Sequence, residues 1–129
     1  MSEPIVFISH FRVKAGQLDA FRPYLREGSA TLQADKPRTV AFLAYIDEAG
    51  TQATIVHVFP DAEAVDRHVE GSGERSRDAY EFLQPDGWEI YGTPSAAALA
   101  MLQEGAVAAG VSLAVRPDYI GGFLRLAQG

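Results

Sequence analysis

The chain has 129 residues, 47% of them hydrophobic, a formal net charge of −6 at pH 7 and no cysteine. This length and composition predict one globular domain with a real core. The acidic balance disfavours nucleic acid and anionic lipid as partners, and the lack of cysteine excludes disulfides, thiolate nucleophiles and cysteine-ligated metal sites.

The opening residues, MSEPIVFISHFRVK, have neither a basic region nor a continuous apolar region of the kind found in signal peptides. No apolar run approaches the length of about 18 residues that a membrane-spanning helix needs. We therefore expect a cytoplasmic protein with no membrane partner.

Alternating residues at 5–14 predict a first strand, and both of its faces begin apolar, which is typical of a central strand. Ile5, Phe7, Ser9, Phe11 and Val13 share one face, and Val6, Ile8, His10 and Arg12 share the other. Leu18, Phe21, Leu25 and Leu32 then recur at helical spacing over residues 17–34. Pro23 is expected to kink this helix.

Residues 39–46 and 54–59 predict two strands that form a hairpin around the turn at 47–50. Pro60 ends the second of these strands, and Asp61 is predicted to cap a helix that places Val65 on its apolar face. The helix is expected to break at 71–73, and residues 84–87 to form a turn before a short strand at 88–91. The resulting order, β-α-β-β-α-β, predicts an α+β fold with a ferredoxin-like antiparallel sheet.

Residues 93–129 are predicted to form an extension packed on the domain at 1–92. Thr93 is expected to cap an alanine-rich helix at 95–109, which Gly110 ends. Strands are predicted at 111–116 and 123–126.

This order of elements resembles that of the antibiotic biosynthesis monooxygenase family, as do the segments FRVKAGQLDAF at 11–21 and FPDAEAVDRHV at 59–69. The resemblance implies a homodimer that forms a dimeric α+β barrel, with a pocket between sheet and helices in each subunit. It also implies either cofactor-independent oxidation of phenols to quinones or, in a separate branch, oxidative breakdown of haem.

The residues that carry those reactions in the family differ in this chain. Quinone-forming members have an Asn four residues before a Trp at the end of the third strand, where this chain has Ile55 and Phe59, and a Tyr where it has Val65. The haem-degrading branch has a Trp at the position of His68 and a His about ten residues later, where this chain has none. The chain contains no asparagine.

His57 is the first candidate for a catalytic residue, because it lies between Ile55 and Phe59 on the predicted pocket wall. A neutral imidazole there would accept a phenolic proton, although a buried histidine with a purely structural hydrogen bond would give the same pattern. His10, on the first strand, is a candidate for orienting the substrate. With His57 and a third ligand it would alternatively hold zinc or iron, but we predict no metal and no cofactor.

Arg12, His68 and Tyr80 complete the candidate substrate-binding set with His10, Ile55, Phe59 and Val65. Arg12 would hold a carboxylate or phenolate, or else form an ion pair at the strand end. His68 is expected at the pocket rim or in solvent, and Tyr80 in an aromatic pocket or in the core.

Two functions follow from these candidates. The first is a cofactor-independent monooxygenase that acts on a small aromatic or polyketide-like phenol, with His57 as base. The second is a non-catalytic dimeric barrel that binds a small hydrophobic ligand. A homodimer is expected in both cases, because the helices cover only one face of a sheet whose central strand is apolar on both faces.

Overall fold

The computed structural model describes residues 3–125, which contain five strands and four helices. In chain order these are β1 (Ile5–Val13), α1 (Leu18–Asp35), β2 (Ala41–Ile46), β3 (Gln52–Phe59), α2 (Ala62–Val69), α3 (Ser72–Ala79), β4 (Leu83–Tyr91), α4 (Ala96–Ala109) and β5 (Leu113–Arg116).

The strands form one open sheet in the order β2-β3-β1-β4-β5. Neighbouring strands from β2 to β4 are antiparallel, as the ferredoxin-like order requires, and this confirms the predicted fold. β5 is parallel to β4, so the complete sheet is mixed rather than antiparallel. A parallel neighbour needs a crossover connection, which α4 supplies.

The helices pack on one face of the sheet, where the buried apolar residues form two clusters. The first cluster joins the sheet to α2 and α4 through Ile5, Phe59, Ala64, Val65, Ile90 and Ala98. The second joins it mainly to α1 through Phe11, Phe21, Ala53, Ile55 and Leu83. Along β1 and β3, the buried polar residues Ser9 and His57 lie between the two clusters. The helix-covered face is therefore apolar at both ends and polar in its middle.

The opposite face, called here the open face, also carries apolar side chains. Val6 and Ile8 on β1 are half-buried, and so are Val56 and Val58 on β3. Leu43 and Tyr45 on β2 extend this surface and are 46% and 60% exposed. Strand alternation places these residues opposite the side on which the helices pack.

Side-chain hydrogen bonds fix the ends of α2. Asp61 accepts a hydrogen bond of 2.9 Å from the backbone N–H of Ala64, as predicted for an N-cap. At the other end, Lys36 donates to the carbonyl oxygens of Arg67 and Glu70. Arg75 donates to the carbonyl of His68 as well. These cations neutralise the negative end of the helix and hold the turn that leads into α3.

The last predicted strands differ most from the structure. β4 begins at Leu83, so the predicted turn at 84–87 lies inside a strand. The register with β1 shifts between His10 and Phe11, which identifies a bulge at Asp86. Pro85 is tolerated because β5 pairs only with residues 88–91, which leaves this part of β4 at the sheet edge.

The C-terminal extension follows the prediction in part. Ser95, not Thr93, caps α4: its hydroxyl accepts from the N–H of Ala98 and donates to Asp66 on α2. Gly110 ends α4 in the left-handed conformation, as predicted. The described part of the predicted last strand, 123–125, is not a strand, and Leu126 lies outside the described residues. None of the helices between residues 3 and 125 is long and apolar enough to cross a membrane.

Two glycine substitutions are expected to change stability in opposite directions. Gly92 has a φ of +101°, and a Cβ there would lie 2.9 Å from the carbonyl oxygen of Pro4, so Gly92→Ala should lower the free energy of unfolding by more than about 1 kcal/mol. Gly28 lies inside α1 with nothing within 4 Å of a built Cβ, so Gly28→Ala should raise it by about 0.5–1 kcal/mol. Urea denaturation measures both values, and equal effects would contradict the geometry at Gly92.

Candidate functional site

His57 lies in the polar middle of the helix-covered face. β3 places it opposite Phe7 of β1 and Phe42 of β2, and its side chain is only 8% exposed. Its Nδ1 atom is 3.1 Å from the carbonyl oxygen of Phe7. Because a carbonyl oxygen can only accept, Nδ1 carries the proton in the neutral ring, and Nε2 is left with the free lone pair.

Aromatic rings surround the His57 imidazole. The ring centroids of Phe7 and Phe42 are each 5.1 Å from that of His57. Phe59 stacks at 6.2 Å, and the ring of His68 meets His57 edge-on at 5.3 Å. This apolar shell weakly solvates a charged imidazolium, so it favours the neutral form of His57.

His68 reaches the same site from α2 and is 7% exposed. Its Nδ1 atom is 2.7 Å from the hydroxyl of Thr39, in the segment before β2. The ring of Phe59 is 5.2 Å away and perpendicular. The predicted rim residue is therefore a buried, hydrogen-bonded neighbour of His57.

Burial lowers the pKa of both histidines. The pKa of His57 falls to about 4, mainly by desolvation, although its hydrogen bond to Phe7 acts in the opposite direction. The pKa of His68 falls to about 3, first by desolvation and then by the nearby His57, Arg75 and Lys36. Both rings are therefore neutral near pH 7, and Nε2 of His57 carries a free lone pair.

A surface cleft of about 330 Å³ lies between α2 and the segment that follows α1. Thr39 lines this cleft and also bonds to His68, so one wall of the cleft is formed by the residue that holds the His68 ring. Its remaining lining is formed by Asp35, Lys36, Pro37, Arg38, Glu63, Ala64, Arg67 and Glu70. His57 does not line this cleft.

The structure places several other predicted site residues on the same side as His57, within the packed core. Ile55 belongs to the second apolar cluster, and Phe59 and Val65 belong to the first. Tyr80 packs at the edge of the second cluster, with its ring centroid 6.5 Å from that of Phe11. Burial raises the pKa of the Tyr80 phenol.

The structure does not bring His10 and Arg12 to His57. Phe7 is the strand partner of His57, and His10 lies three residues further along β1, so its side chain is on the open face. There His10 contacts Glu89 and lies 3.3 Å from the Thr54 hydroxyl. Arg12 forms the alternative strand-end ion pair, with 3.3 Å between its Nε and an oxygen of Asp86.

The alternative prediction of a metal site built on His10 and His57 is wrong, because the two side chains lie on opposite faces of the sheet. Within residues 3–125, no group of three histidine or acidic side chains is placed to hold a metal ion.

The sequence interpretation left out several residues of this site. Ser9 is 4% exposed in the same polar middle as His57, and its place among apolar residues on one strand face was the available signal. Thr39 contacts His68 from a position 29 residues away in sequence, which no local pattern indicates. Arg75 follows two glycines, so the sequence allows it either to gate the pocket or to lie on a solvated surface; in the structure it donates to the carbonyl of His68. For Trp88, as for Tyr80, the sequence allows either an aromatic pocket or the core.

Comparisons with known proteins support the fold. The sequence matches no family model and no curated protein. Solved structures do match: MupZ from Pseudomonas fluorescens is 15% identical with a TM-score of 0.69, and the match covers 94% of this chain and 96% of that protein. SnoaB from Streptomyces nogalater, a cofactor-independent oxygenase, is 14% identical with a TM-score of 0.59, covering 73% and 96%.

A protein from Bacteroides thetaiotaomicron, provisionally named an antibiotic biosynthesis monooxygenase, is 15% identical with a TM-score of 0.57, covering 73% of this chain and 90% of that one. The chain therefore has the fold of antibiotic biosynthesis monooxygenase proteins, as the sequence resemblance predicted. At these identities the likeness concerns the fold alone. The match to MupZ extends over more of this chain than the other two matches do.

The buried histidines predict that acid destabilises the protein before its carboxylates titrate. Unfolded histidine binds a proton below pH 6.5, whereas folded His57 does so only below about 4. The contribution of His57 to the free energy of unfolding should therefore be complete above pH 6.5 and should be lost as the pH falls from 6.5 to 4. In His57→Phe, the difference in free energy of unfolding between pH 7 and pH 4.5 should shrink by about 2 kcal/mol.

Urea denaturation at the two pH values measures this difference. Asp47→Asn is the matched control. Hydrogen bonds from Gln52 and Thr51 lower the pKa of Asp47 below 3.8, so its contribution is lost only at lower pH. An unchanged difference in His57→Phe would show that His57 is not kept neutral by the fold.

Proposed function

We propose that this protein is a cofactor-independent monooxygenase that oxidises a small aromatic or polyketide-like phenol, with His57 as the general base. The hydrogen bond from His57 Nδ1 to the Phe7 carbonyl carries the proposal, because it fixes the tautomer in which Nε2 accepts a proton. The apolar rings around His57 suit an aromatic substrate.

In the proposed first step, Nε2 of His57 removes the proton of a phenolic or enolisable substrate. The low pKa of the free imidazole makes it a weak base, and the substrate anion offsets this by stabilising the imidazolium beside it. An ion pair in an apolar site is favoured over either isolated charge. The step therefore favours a substrate whose anion is stabilised by delocalisation over an aromatic ring system.

Molecular oxygen is the oxidant in the second step. The substrate anion transfers an electron to oxygen, and the two radicals combine at a ring carbon to form a peroxide, which takes the proton back from His57. Loss of water from a carbon that still bears a hydrogen then leaves a carbonyl. One oxygen atom enters the product and the other leaves as water, so four electrons pass from the substrate to oxygen.

The fold and one neighbour support this reaction class. SnoaB is a cofactor-independent oxygenase with the same fold. Since this chain has no asparagine, any polar residue that binds the substrate differs from the asparagine that the family uses. The proposal therefore rests on His57 and not on transferred family residues.

A second candidate function is a non-catalytic barrel that binds a small hydrophobic ligand. The close packing of Phe7, Phe42, Phe59 and His68 around His57 favours a non-catalytic role, because the imidazole is already surrounded by side chains of the protein. Under this alternative, the hydrogen bond to Phe7 serves the core alone.

We propose for either function that two copies associate through their open faces. Leu43 and Tyr45, with half-buried Val6, Ile8, Val56 and Val58, form an apolar surface that the described helices leave uncovered. Burying this surface against a second copy removes it from water. A cytoplasmic location and a domain boundary near residue 92 remain predictions from the sequence.

Oxygen consumption tests the enzymatic proposal. Purified protein should consume oxygen with at least one member of a panel of anthrones, naphthols and hydroquinones. In His57→Ala the rate should fall about a hundredfold, the loss typical of a positioned general base. His10→Ala is the matched histidine control on the opposite face, and its rate should stay within about twofold of the parent.

Uptake that survives His57→Ala would keep an oxygenase and discard His57 as its base. No uptake across the panel would favour the ligand-binding alternative.

The oligomeric state tests the open-face interface. Leu43→Lys places a charge on the proposed interface and should convert a dimer into a monomer, because an unpaired charge is costly to bury. Val107→Lys, at an 82% exposed position on α4, should remain a dimer. Sedimentation velocity at micromolar protein distinguishes the two masses, and a dimeric Leu43→Lys variant would exclude this face.

A further inference from the structure

The indole N–H of Trp88 is a buried donor with no acceptor. Within residues 3–125, Trp88 Nε1 is the one fully buried side-chain nitrogen or oxygen that has no hydrogen-bond partner. An unsatisfied buried donor is costly, and proteins retain few of them. Such a group is therefore a candidate for contact with a ligand.

Packing against α4 fixes which end of the indole faces the sheet. A Cβ built on Gly105 of α4 would lie 3.1 Å from Cη2 and Cζ3 of Trp88, so the outer edge of the six-membered ring touches this helix. The five-membered ring, which carries Nε1, is at the opposite end of the indole. The N–H therefore lies closer to the sheet than to α4.

The sheet register places Trp88 in the same polar middle as His57. Trp88 is the strand partner of Ser9, and Phe7 is the strand partner of His57 two residues earlier on β1. The Phe7 ring is 5.1 Å from His57 and 6.3 Å from Trp88, measured between centroids. His57 and Trp88 thus flank Phe7, one from each neighbouring strand.

From this arrangement we infer that Trp88 is a substrate-positioning residue whose indole N–H donates a hydrogen bond to the phenolic oxygen of the aromatic substrate. The inference rests on the proposed function of His57. The indole can only donate and does not titrate, so it recognises an acceptor oxygen at any working pH. Its bond to that oxygen strengthens when His57 removes the substrate proton and the oxygen becomes anionic.

The inference also defines a ligand class. An aromatic ring without an oxygen meets the same side chains of Phe7 and Trp88 but leaves the N–H unsatisfied, so it should bind more weakly. A hydroxylated ring should therefore be preferred over a ring of equal size that carries a methyl group in place of the hydroxyl.

Trp88 is the only tryptophan of the chain, which allows an atom-level test. The probes are 1-naphthol and 1-methylnaphthalene, titrated under anaerobic conditions so that no oxidation occurs. Calorimetry should show 1-naphthol binding about tenfold more tightly, the factor that one buried hydrogen bond typically supplies. In a ¹H–¹⁵N spectrum, the one indole cross-peak should move downfield with 1-naphthol only.

Replacing the tryptophan with β-(3-benzothienyl)alanine, which has sulfur in place of N–H and nearly the same shape, should reduce the tenfold preference to about twofold or less. Trp88→Phe serves as the genetically encoded second variant and should lose the preference in the same way. Gly28→Ala is the control that should keep it, because Gly28 lies in α1 with open space around it.

Each outcome decides the inference. Equal binding of the two probes, no binding of either, an unmoved indole signal, or a preference that persists after the sulfur replacement would overturn it. A hydroxyl preference without oxygen consumption would support Trp88 as the donor and overturn the oxygenase. Oxygen consumption without such a preference would leave the oxygenase and overturn the role of Trp88.

Discussion

The hydrogen bond between His57 and the Phe7 carbonyl is the contact on which the candidate site depends. It joins two central strands in the middle of the helix-covered face, where the apolar clusters on either side exclude most water. A buried imidazole without such a partner would leave a polar group unsatisfied. With it, the ring is held in one tautomer and one orientation. The same burial that makes the bond necessary keeps the ring neutral, so the structural and the chemical consequences have one cause.

Strand alternation decides which side chains can act together. His57, Ile55 and Phe59 were correctly predicted to share a face, because their spacing of two needs no knowledge of strand pairing. The position of His10 relative to His57 depends on the register between β1 and β3, which alternation within one strand cannot give. The fold was predictable from the order of elements. Contacts between side chains of different elements depend on the register between strands, so alternation along one strand could not predict them.

The remaining differences have local physical reasons. Pro85 and Gly87 usually indicate a turn, but here they lie in a bulged strand beyond the end of β5, where a missing N–H is harmless. His68 is hydrogen-bonded through its ring to Thr39 and through its carbonyl to Arg75, and packs against the rings of His57 and Phe59; these contacts come from other elements and are not visible in the local sequence. The unsatisfied Trp88 donor is invisible in sequence, because a core tryptophan and one with a free N–H look identical until the packing is known.

The lowered pKa of His57 restricts the chemistry that the site can support. A base with a pKa near 4 does not hold a proton in the free protein at neutral pH, so it works only if the substrate anion remains beside the imidazolium. A positive charge near that anion would further lower the pKa of His57. A nearby neutral donor would stabilise the anion without this effect. Trp88 has this property and a guanidinium or ammonium group does not. Arg75, which binds the carbonyl of His68, already lowers the pKa of both histidines, so a second cation in the site would work against the proton transfer that His57 is proposed to perform.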